Sequence, residues 1–276
     1  MRFLLEPNVF GRGLHPMTDA VTASGFEAVK WNDDWWENTN EFPSVDKNVP
    51  TLFHGSLGNA RDIANLQRWE PGSYCNEAAF RCSSWYETAQ PWLIQQKYVY
   101  TTVEEFVNSP MEIGSTVGEN EKVFVRPDSP LKPFSGRVVT LDGLTLRQLD
   151  HGFYYDDVTL PIVVAGLCEE ITEEWRFVVI DGEICAASSY EAETRQGKAT
   201  KIPEDVRAFA DDVVKNLDPP PEPVYILDVG RMNTKGSVSS SSSQQLGLVE
   251  LNPFSGADLY NCDYVNIIQA LAEYLN

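Results

Sequence analysis

Histidine is scarce in this sequence, and its cysteines form no paired motif. The 276-residue chain holds three histidines (His15, His54 and His151) and five cysteines, with no Cys-x-x-Cys pair among them. Structural zinc sites draw their ligands from such clusters, so the composition disfavours a zinc site. An odd number of cysteines in a chain of this length gives no support to a disulfide framework. The histidines also lie in no recognisable Ser-His-Asp or Cys-His pattern.

Long apolar runs are absent as well. No stretch approaches the roughly 18–20 consecutive apolar residues that a membrane span needs. Glu6 and Pro7 interrupt the apolar N-terminal stretch MRFLLEPNVF, which therefore does not fit a signal peptide. The sequence predicts a soluble, cytoplasmic protein without a membrane partner.

Positive charge is the third shortage. The chain has 21 Lys and Arg residues against 41 Asp and Glu residues, which gives a formal net charge of −20. Such a surface repels a phosphate backbone, so a nucleic acid duplex is disfavoured as a partner. A nucleotide pocket remains compatible with this charge, because a few local cations dominate the field at short range. A hydrophobic content of 42% is enough for a sizeable core.

The first hundred residues alternate strand-like and helix-like stretches. Strand patterns at Arg2 to Leu5 and at FEAVKW flank a helix-compatible segment from His15 to Ser24, and Val49 to Ile63 has the pattern of a strand, a Gly turn and a helix start. This alternation predicts an open α/β lobe over residues 1–100. Within it, the tryptophan-rich patch WNDDWWENTNEFP is predicted to be a loop that either covers a cleft or caps the core.

Residues 101–276 have mainly strand patterns, with helices between them. The stretch FVVIDGEICAAS is predicted to be a hairpin, because two β-branched runs meet at Asp181-Gly182. TTVEEFV has the pattern of a capped helix start, and the periodicity of PEDVRAFADDVVKNLD and VNIIQALAEYL predicts two amphipathic helices. The serine run at 237–243 is too polar to pack and is predicted to be a loop. Further strands are predicted at KVFVRP, GRVVTL, TLPIVVAGLC, VYILDVG and LGLVELN.

Three oxygen-bearing side chains stand out in the last two predicted strands. Asp228 lies in YILDVGR, whereas Glu250 and Asn252 lie two positions apart in LVELN and therefore point to one face of their strand. If the two strands are neighbours, all three side chains can hold one cation, and oxygen ligands of this kind suit Mg²⁺. The structural alternative is that Asp228 caps a turn and that Asn252-Pro253 starts one.

A magnesium site of this kind implies a nucleotide, and the sequence offers cations for its phosphates. Arg126 ends the apolar stretch FVRP, and Lys132 lies in the following loop that contains Pro, Ser and Gly. Arg176 lies in EEWRF, two residues after Glu174. Each arginine alternates with apolar neighbours, so each either faces a polar cleft or is a solvent-face residue of its strand.

Some residues permit two interpretations. His54, in FHGSLGNA, either contacts a substrate from the first lobe or is structural. Tyr74, Trp85 and Tyr86 either line a site for the acceptor substrate or belong to the core.

Together these motifs resemble the ATP-grasp superfamily of carboxylate–amine ligases. The order is a strand with a basic residue, a flexible Gly loop, the Glu-x-Arg strand of a hairpin, an Asp strand and Glu-x-Asn-Pro. The chain is most similar to a clade, often phage or bacterial, in which the usual strand lysine is an arginine and a lysine follows in the loop, as Arg126 and Lys132 do here. The resemblance covers residues 123–276. It implies an α/β fold of α+β lobes, with a pre-ATP-grasp lobe over 1–100 and the nucleotide-binding lobes over 101–276.

The resemblance also implies roles for individual residues. ATP phosphates would be bound by Arg126 and Lys132 and covered by the loop at Ser135-Gly136, while Mg²⁺ would be held by Asp228, Glu250 and Asn252. The remaining implied roles are adenine contact for Leu167 and Cys168, ribose binding for Glu174, phosphate or acyl-phosphate contact for Arg176, substrate carboxylate binding for Arg231 and lining of its pocket for Ser255-Gly256.

The function that follows is ATP- and Mg²⁺-dependent joining of a carboxylate to an amine through an acyl phosphate. The substrate would be a small molecule, an amino acid or a peptide. Two alternatives remain: a phosphotransferase that acts on a small molecule, and a non-catalytic nucleotide-binding interaction protein. Asp228→Ala or Glu250→Ala is expected to abolish turnover of Mg²⁺·ATP while leaving the fold largely intact.

Overall fold

The computed structural model describes residues 1–149, 157–168, 170–190, 197–198, 201–233 and 244–276. Its first lobe contains a parallel four-stranded sheet in the order β2-β1-β3-β4. The strands β1 and β3 have almost wholly buried side chains, because helices and loops cover both faces of the sheet. The elements are β1 (Arg2–Leu5), α1 (Thr18–Ala23), β2 (Glu27–Lys30), β3 (Thr51–His54), α2 (Leu57–Leu66), β4 (Pro71–Gly72) and α3 (Cys82–Ala89).

The tryptophan-rich patch packs on this first sheet. Trp31 is buried and its ring lies within 6 Å of Trp35, Trp36 and Phe42. The Trp36 indole N–H donates to Asn59 of α2 at 2.9 Å. Of the two interpretations of the patch, the structure supports the one in which it caps the core.

The second sheet is antiparallel, in the order β5-β8-β6-β7. One face forms a core with the neighbouring helices. The predicted helix start is confirmed as a capping box, in which Thr102 and Glu105 each accept a hydrogen bond from the other's backbone N–H. The elements are β5 (Tyr98–Thr102), α4 (Val103–Asn108), α5 (Pro110–Thr116), β6 (Lys122–Pro127), β7 (Arg137–Thr140), α6 (Leu146–Leu149) and β8 (Pro161–Ala165).

The third sheet is antiparallel, in the order β11-β10-β9-β12-β13, and carries the predicted metal ligands. The predicted hairpin joins β9 to β10 through Asp181 and Gly182, which both have positive φ as a tight two-residue turn requires. The elements are β9 (Ile171–Ile180), β10 (Glu183–Tyr190), β11 (Gly197–Lys198), α7 (Glu204–Asn216), β12 (Val224–Asn233), β13 (Gln244–Pro253) and α8 (Tyr264–Leu275).

Different partners cover the two faces of this third sheet. The apolar stripe of α7 packs with α3 against the face that contains Trp175, Phe177 and Leu227. The opposite face contains Val178 and Ile226 and packs against α8, α1 and the first sheet. Burial on both faces makes this sheet the centre of the molecule.

Within the described residues, backbone hydrogen bonds join the first 100 residues to β13 and the turn after it at two places. Residues 92–94 pair with the outer edge of β13, where Ile94 N–H donates to Leu248 O at 2.9 Å. Gly247 permits this approach, since a Cβ at that position would lie 2.7 Å from Ile94 Cα. Second, the turn Phe254–Gly256 docks on the first lobe, where Gly55 N–H donates to Ser255 O at 2.9 Å.

The mixed α/β composition predicted from the sequence is confirmed. The helix expected from His15 to Ser24 is shorter, at Thr18–Ala23. The boundary placed at residue 100 stays a prediction, and residue 100 lies within β5. The serine run at 237–243 and His151 lie outside the described residues. Among the described helices, none has the length and apolar character that crossing a membrane requires.

Candidate active site

Asp228, Glu250 and Asn252 meet on one face of the third sheet. The register of β12 and β13 places Asp228 opposite Glu250 and Ile226 opposite Asn252. The Asn252 amide nitrogen donates to Asp228 Oδ2 at 3.1 Å and to Glu250 Oε1 at 3.0 Å. Asp228 lies within a strand rather than at a turn, so the turn-capping alternative is wrong for this residue.

This cluster has the chemistry of a site for a hard cation. It offers two carboxylates and one carboxamide, the oxygen donors that Mg²⁺ prefers. Among the described residues, no group of three His, Cys, Asp or Glu side chains could hold a metal ion. An ion at this cluster would therefore need Asn252 or oxygens from water or substrate, and Mg²⁺ commonly takes its remaining ligands from substrate phosphates.

Arg176 and Asp228 form a buried pair at the base of the cluster. Arg176 Nε donates to Asp228 Oδ1 at 2.8 Å and Nη2 donates to Oδ2 at 2.6 Å. Burial acts to lower the pKa of Arg176, but the attraction of Asp228 outweighs it and raises that pKa well above its usual value. The alternative that Arg176 is a solvent-face residue is wrong, because the residue is only 6% exposed.

Arg126 and Lys132 hold the other carboxylate. Arg126 Nη2 lies 3.0 Å from Glu250 Oε2, and Lys132 Nζ lies 2.9 Å from Glu250 Oε1. Burial acts to raise the pKa of Glu250, but these two cations prevail and lower it. Arg126 also reaches the Tyr86 hydroxyl at 3.5 Å, so Tyr86 combines a buried ring with a hydroxyl at the site.

Aromatic side chains pack around Arg176. The rings of Tyr190 and Tyr260 stack with centroids 4.6 Å apart, and the guanidinium lies 4.7 Å from the centre of the Tyr260 ring. The Tyr190 hydroxyl donates to Glu174 Oε2, while burial raises the pKa of Glu174. Arg176 Nη1 also donates to the Asp258 carbonyl at 2.5 Å. Arg176 thus connects the carboxylate cluster to the segment that follows β13.

Sequence reasoning missed Tyr190, Tyr260 and Asp258. Tyr190 could have been found from the alternation of β10, which pairs it with Glu174. Tyr260 and Asp258 lie in an irregular segment after the Phe254–Gly256 turn, where no periodicity predicts which side chain faces the site.

Arg231 lies on the opposite face of the sheet. Its side chain pairs with Asp205 at 2.9 Å and with Glu173 at 3.1 Å, and it lies 5.2 Å from the centre of the Trp175 ring. Trp175 belongs to the face that α7 covers. The structure therefore does not bring Arg231 to Asp228, and the substrate contact expected of it stays a prediction.

The other predicted contacts lie around the second sheet. Ser135 and Gly136 are exposed in the loop between β6 and β7. Leu167 and Cys168 follow β8, and the Leu167 N–H donates to Glu119 Oε1 at 3.1 Å. No structural observation tests their nucleotide roles, which stay predictions.

His54 forms a buried pair with His15 in the first lobe. His15 Nε2 lies 2.9 Å from His54 Nδ1, and the Met17 N–H donates to His15 Nδ1. A neutral pair then requires that His15 donate from Nε2 to His54 Nδ1. Burial lowers the pKa of His15 to about 4, and burial with the neighbouring His15 lowers the pKa of His54 well below its usual value. The side chain of His54 is thus part of a packed, uncharged cluster.

Ser255 lies where the site meets the first lobe. It is fully buried, and its hydroxyl oxygen accepts a hydrogen bond from the Tyr74 backbone N–H at 2.9 Å. Its neighbour Gly256 packs closely on Leu57 of α2. The tyrosine ring of Tyr74 belongs to the core between the lobes. These contacts fix the start of the segment that carries Asp258 and Tyr260.

Several solved structures have a fold similar to that of this chain. The solved structure of the D-cycloserine synthetase DcsG matches with a TM-score of 0.60 and 16% identity over 95% of this chain and 94% of that one. The ATP-grasp ligase PsnB, solved in complex with a variant of its minimal precursor, Mg and ADP, matches with a TM-score of 0.54 and 14% identity. The match covers 100% of this chain and 98% of that one. D-alanine–D-alanine ligase from Bacillus anthracis in complex with ATP matches with a TM-score of 0.53 and 14% identity. The match covers 99% of this chain and 96% of that one. None of the curated proteins matches the sequence.

These likenesses define the class of fold as ATP-grasp and confirm the resemblance seen in the sequence. The family model described as "ATP-grasp domain, R2K clade family 2" matches residues 102–270. The chain belongs to that family.

Proposed function

We propose that this protein is an ATP- and Mg²⁺-dependent ligase that joins a carboxylate to an amine through an acyl phosphate. The observation that carries the proposal is the convergence of Asp228, Glu250 and Asn252 within hydrogen-bond distance, with Arg126, Lys132 and Arg176 paired to the two carboxylates. The neighbours with similar folds are described as ligases and synthetases that include complexes with ATP, ADP and Mg.

The chain's own residues supply binding and charge. Asp228, Glu250 and Asn252 would hold Mg²⁺, which supplies charge neutralisation for a transferring phosphoryl group. Arg126 and Lys132 are the cations with some access to solvent at this cluster and would bind phosphate oxygens. Arg176 fixes the orientation of Asp228 through two hydrogen bonds, and its positive charge opposes the rise in the pKa of Asp228 that burial causes. Such catalysis depends mainly on positioning and on electrostatic stabilisation.

The reaction follows from the poor electrophilicity of a carboxylate. A carboxylate oxygen attacks the terminal phosphorus of ATP, which breaks the bond to ADP and forms an acyl phosphate. The amine then attacks the acyl carbon, loses a proton and expels inorganic phosphate. No nucleophilic side chain is needed for these steps.

The substrate class is a small molecule, an amino acid or a peptide. PsnB and the macrocyclase MdnC from Microcystis aeruginosa have been solved with precursor peptides, whereas DcsG and D-alanine–D-alanine ligase are described by small-molecule products. Both kinds of substrate provide a carboxylate and an amine.

Trapping with hydroxylamine tests the proposal whatever the natural amine is. The protein is incubated with Mg²⁺, ATP, hydroxylamine and a panel of amino acids, dipeptides and small organic acids. An acyl phosphate reacts with hydroxylamine to give a hydroxamate, which mass spectrometry detects together with ADP and phosphate. We expect a hydroxamate with at least one acid, and its loss in Glu250→Gln but not in Lys122→Met.

The alternatives give different products. A stable phosphorylated product with ADP, and no hydroxamate, would support a phosphotransferase. Absence of Mg²⁺·ATP binding in calorimetry would contradict both enzymatic functions.

A further inference from the structure

The carboxylate cluster is already saturated by the chain's own cations. Both oxygens of Asp228 accept from Arg176, and each oxygen of Glu250 has its own cation, Arg126 on one and Lys132 on the other. Three cationic side chains therefore balance two carboxylates, and the immediate cluster carries no excess negative charge. A divalent cation gains little from such a cluster until one of these side chains leaves.

Lys132 is the cation best able to leave. Its side chain is 38% exposed, against 12% for Arg126 and 7% for Arg176. Arg126 and Arg176 lie in the strands β6 and β9, whereas Lys132 lies in the loop after β6, at a left-handed φ of 51°. Water can solvate this exposed ammonium group as it leaves, so the contact of Lys132 with Glu250 breaks at a smaller cost than the buried arginine contacts.

The oxygen that Lys132 occupies is one that the metal needs. Lys132 Nζ and the Asn252 amide both contact Glu250 Oε1, which lies on the side of Glu250 that faces Asn252 and Asp228. An ammonium group and a divalent ion cannot both be first neighbours of that oxygen without strong repulsion. Occupation of Glu250 Oε1 by Lys132 is thus in direct competition with the metal.

We propose that Lys132 is an internal counterion that excludes divalent metal from Glu250 until a nucleotide phosphate takes the lysine. In this scheme Lys132 exchanges one anionic partner for another, from Glu250 to a phosphate oxygen, and the freed carboxylate oxygen becomes a metal ligand. Metal and nucleotide then bind with positive coupling, so that neither is held firmly alone. The proposal rests on the proposed function, because it assumes that Glu250 is a metal ligand.

Mn²⁺ titration of the nucleotide-free protein tests this directly. The amount of free Mn²⁺ is read from its electron paramagnetic resonance signal, for the wild type, Lys132→Met and the matched control Lys122→Met. Lys122 is exposed at the start of β6, so the control removes the same charge from the same segment. Met keeps the unbranched Cβ of Lys, so the left-handed position at 132 is strained no further.

We expect Lys132→Met to bind Mn²⁺ about tenfold more tightly than the wild type without nucleotide, within the usual range of roughly 5–150-fold for such couplings. Lys122→Met should match the wild type. Addition of ADP should strengthen Mn²⁺ binding in the wild type by a larger factor than in Lys132→Met. Lys132→Gln serves as a second variant, with circular dichroism as the check that each variant is folded.

Equal Mn²⁺ affinity in the wild type and both Lys132 variants, including binding too weak to detect in all of them, would overturn the proposal. So would an equal gain in Lys122→Met, because the effect would then come from net charge. The variant Glu250→Gln distinguishes failure of the counterion proposal from failure of the proposed function. If Glu250→Gln and the wild type bind Mn²⁺ equally in the presence of ADP, Glu250 is not a metal ligand and the proposed function loses its metal site.

Discussion

The carboxylates Asp228 and Glu250 lie opposite each other in adjacent strands, yet their surroundings differ. Asp228 is fully buried and bound through two hydrogen bonds to a buried arginine. The Glu250 side chain is 16% exposed, and one of its two cationic partners is a loop lysine that reaches solvent. The difference indicates that the Asp228 half of the site is fixed by the fold, whereas the Glu250 half is free to exchange partners. We propose that the first half provides the geometry of the site and that ligands bind at the second.

Among the variants that test the difference between the two carboxylates, Asp228→Ala should have the largest effect on stability. It leaves the buried Arg176 without its counter-charge, and loss of one partner of a buried pair costs about 3–5 kcal/mol. We expect a fall of that size in the free energy of unfolding, measured by urea denaturation. The expectation from sequence that this variant keeps its fold largely intact stays a prediction, which the same measurement tests.

A double variant serves as the control for Asp228→Ala. Arg176→Met with Asp228→Leu removes both charges and keeps apolar volume, so it should recover most of the lost stability but not nucleotide-dependent metal binding. Failure of the double variant to recover stability would show that other contacts of these residues dominate.

The first lobe contains a second set of buried polar side chains, His15 and His54, which are almost as inaccessible to solvent as Asp228. The pKa of His15 is about 4 in the folded chain and near 6.5 when unfolded, so the unfolded state binds the extra proton first as pH falls. The contribution of His15 to the free energy of unfolding should be constant above pH 6.5 and should decrease between pH 6.5 and 4. The loss is on the order of 3 kcal/mol for His15, and His54 adds to it in the same direction.

Urea denaturation at several pH values checks this dependence. His15→Gln should flatten the slope between pH 6.5 and 5, while carboxylate titrations common to both proteins cancel in the comparison. An unchanged slope would mean that the pair is charged in the folded protein.

Glu250→Gln should affect binding far more than folding. Gln keeps the side-chain volume and one hydrogen-bonding oxygen, and the Lys132 partner is exposed, so the loss of stability should be smaller than in Asp228→Ala. Affinity for Mg²⁺·ADP, measured by calorimetry, should fall by about tenfold or more, since even indirect supports of a metal contribute roughly 10–100-fold. A large stability loss with unchanged affinity would reverse the roles assigned to the two halves.

Arg231→Gln should have the smallest effect on nucleotide binding. The side chain lies on the face that α7 covers, where it pairs with Asp205 and Glu173. Affinity for Mg²⁺·ADP should change by less than about twofold, which is a difference of under roughly 0.4 kcal/mol. A tenfold loss would show that the two faces of the sheet are coupled.

Much of the fold was predictable because local patterns set it. The strand at 122–127, the Asp181-Gly182 turn and the Thr102 cap each follow from a few neighbouring residues. The convergence of Asp228, Glu250 and Asn252 was predictable once the strands were taken as neighbours, because alternation puts Glu250 and Asn252 on one face.

The partners of these residues were not predictable in the same way. That Arg231 faces away from Asp228 follows from strand alternation, because the two residues lie three positions apart in β12. That Arg176 pairs with Asp228 depends on the register of β9 against β12. No local pattern sets that register. The approach of Lys132 to Glu250 spans 118 positions and depends on how the second sheet lies beside the third.

A crystal structure with Mn²⁺ and a non-hydrolysable ATP analogue, with the metal located by its anomalous signal, tests the central claim most directly. We expect one peak bonded to oxygens of Asp228, Glu250 and Asn252, with Lys132 Nζ moved from Glu250 to a phosphate oxygen. A metal bound elsewhere, with Lys132 still on Glu250, would contradict it.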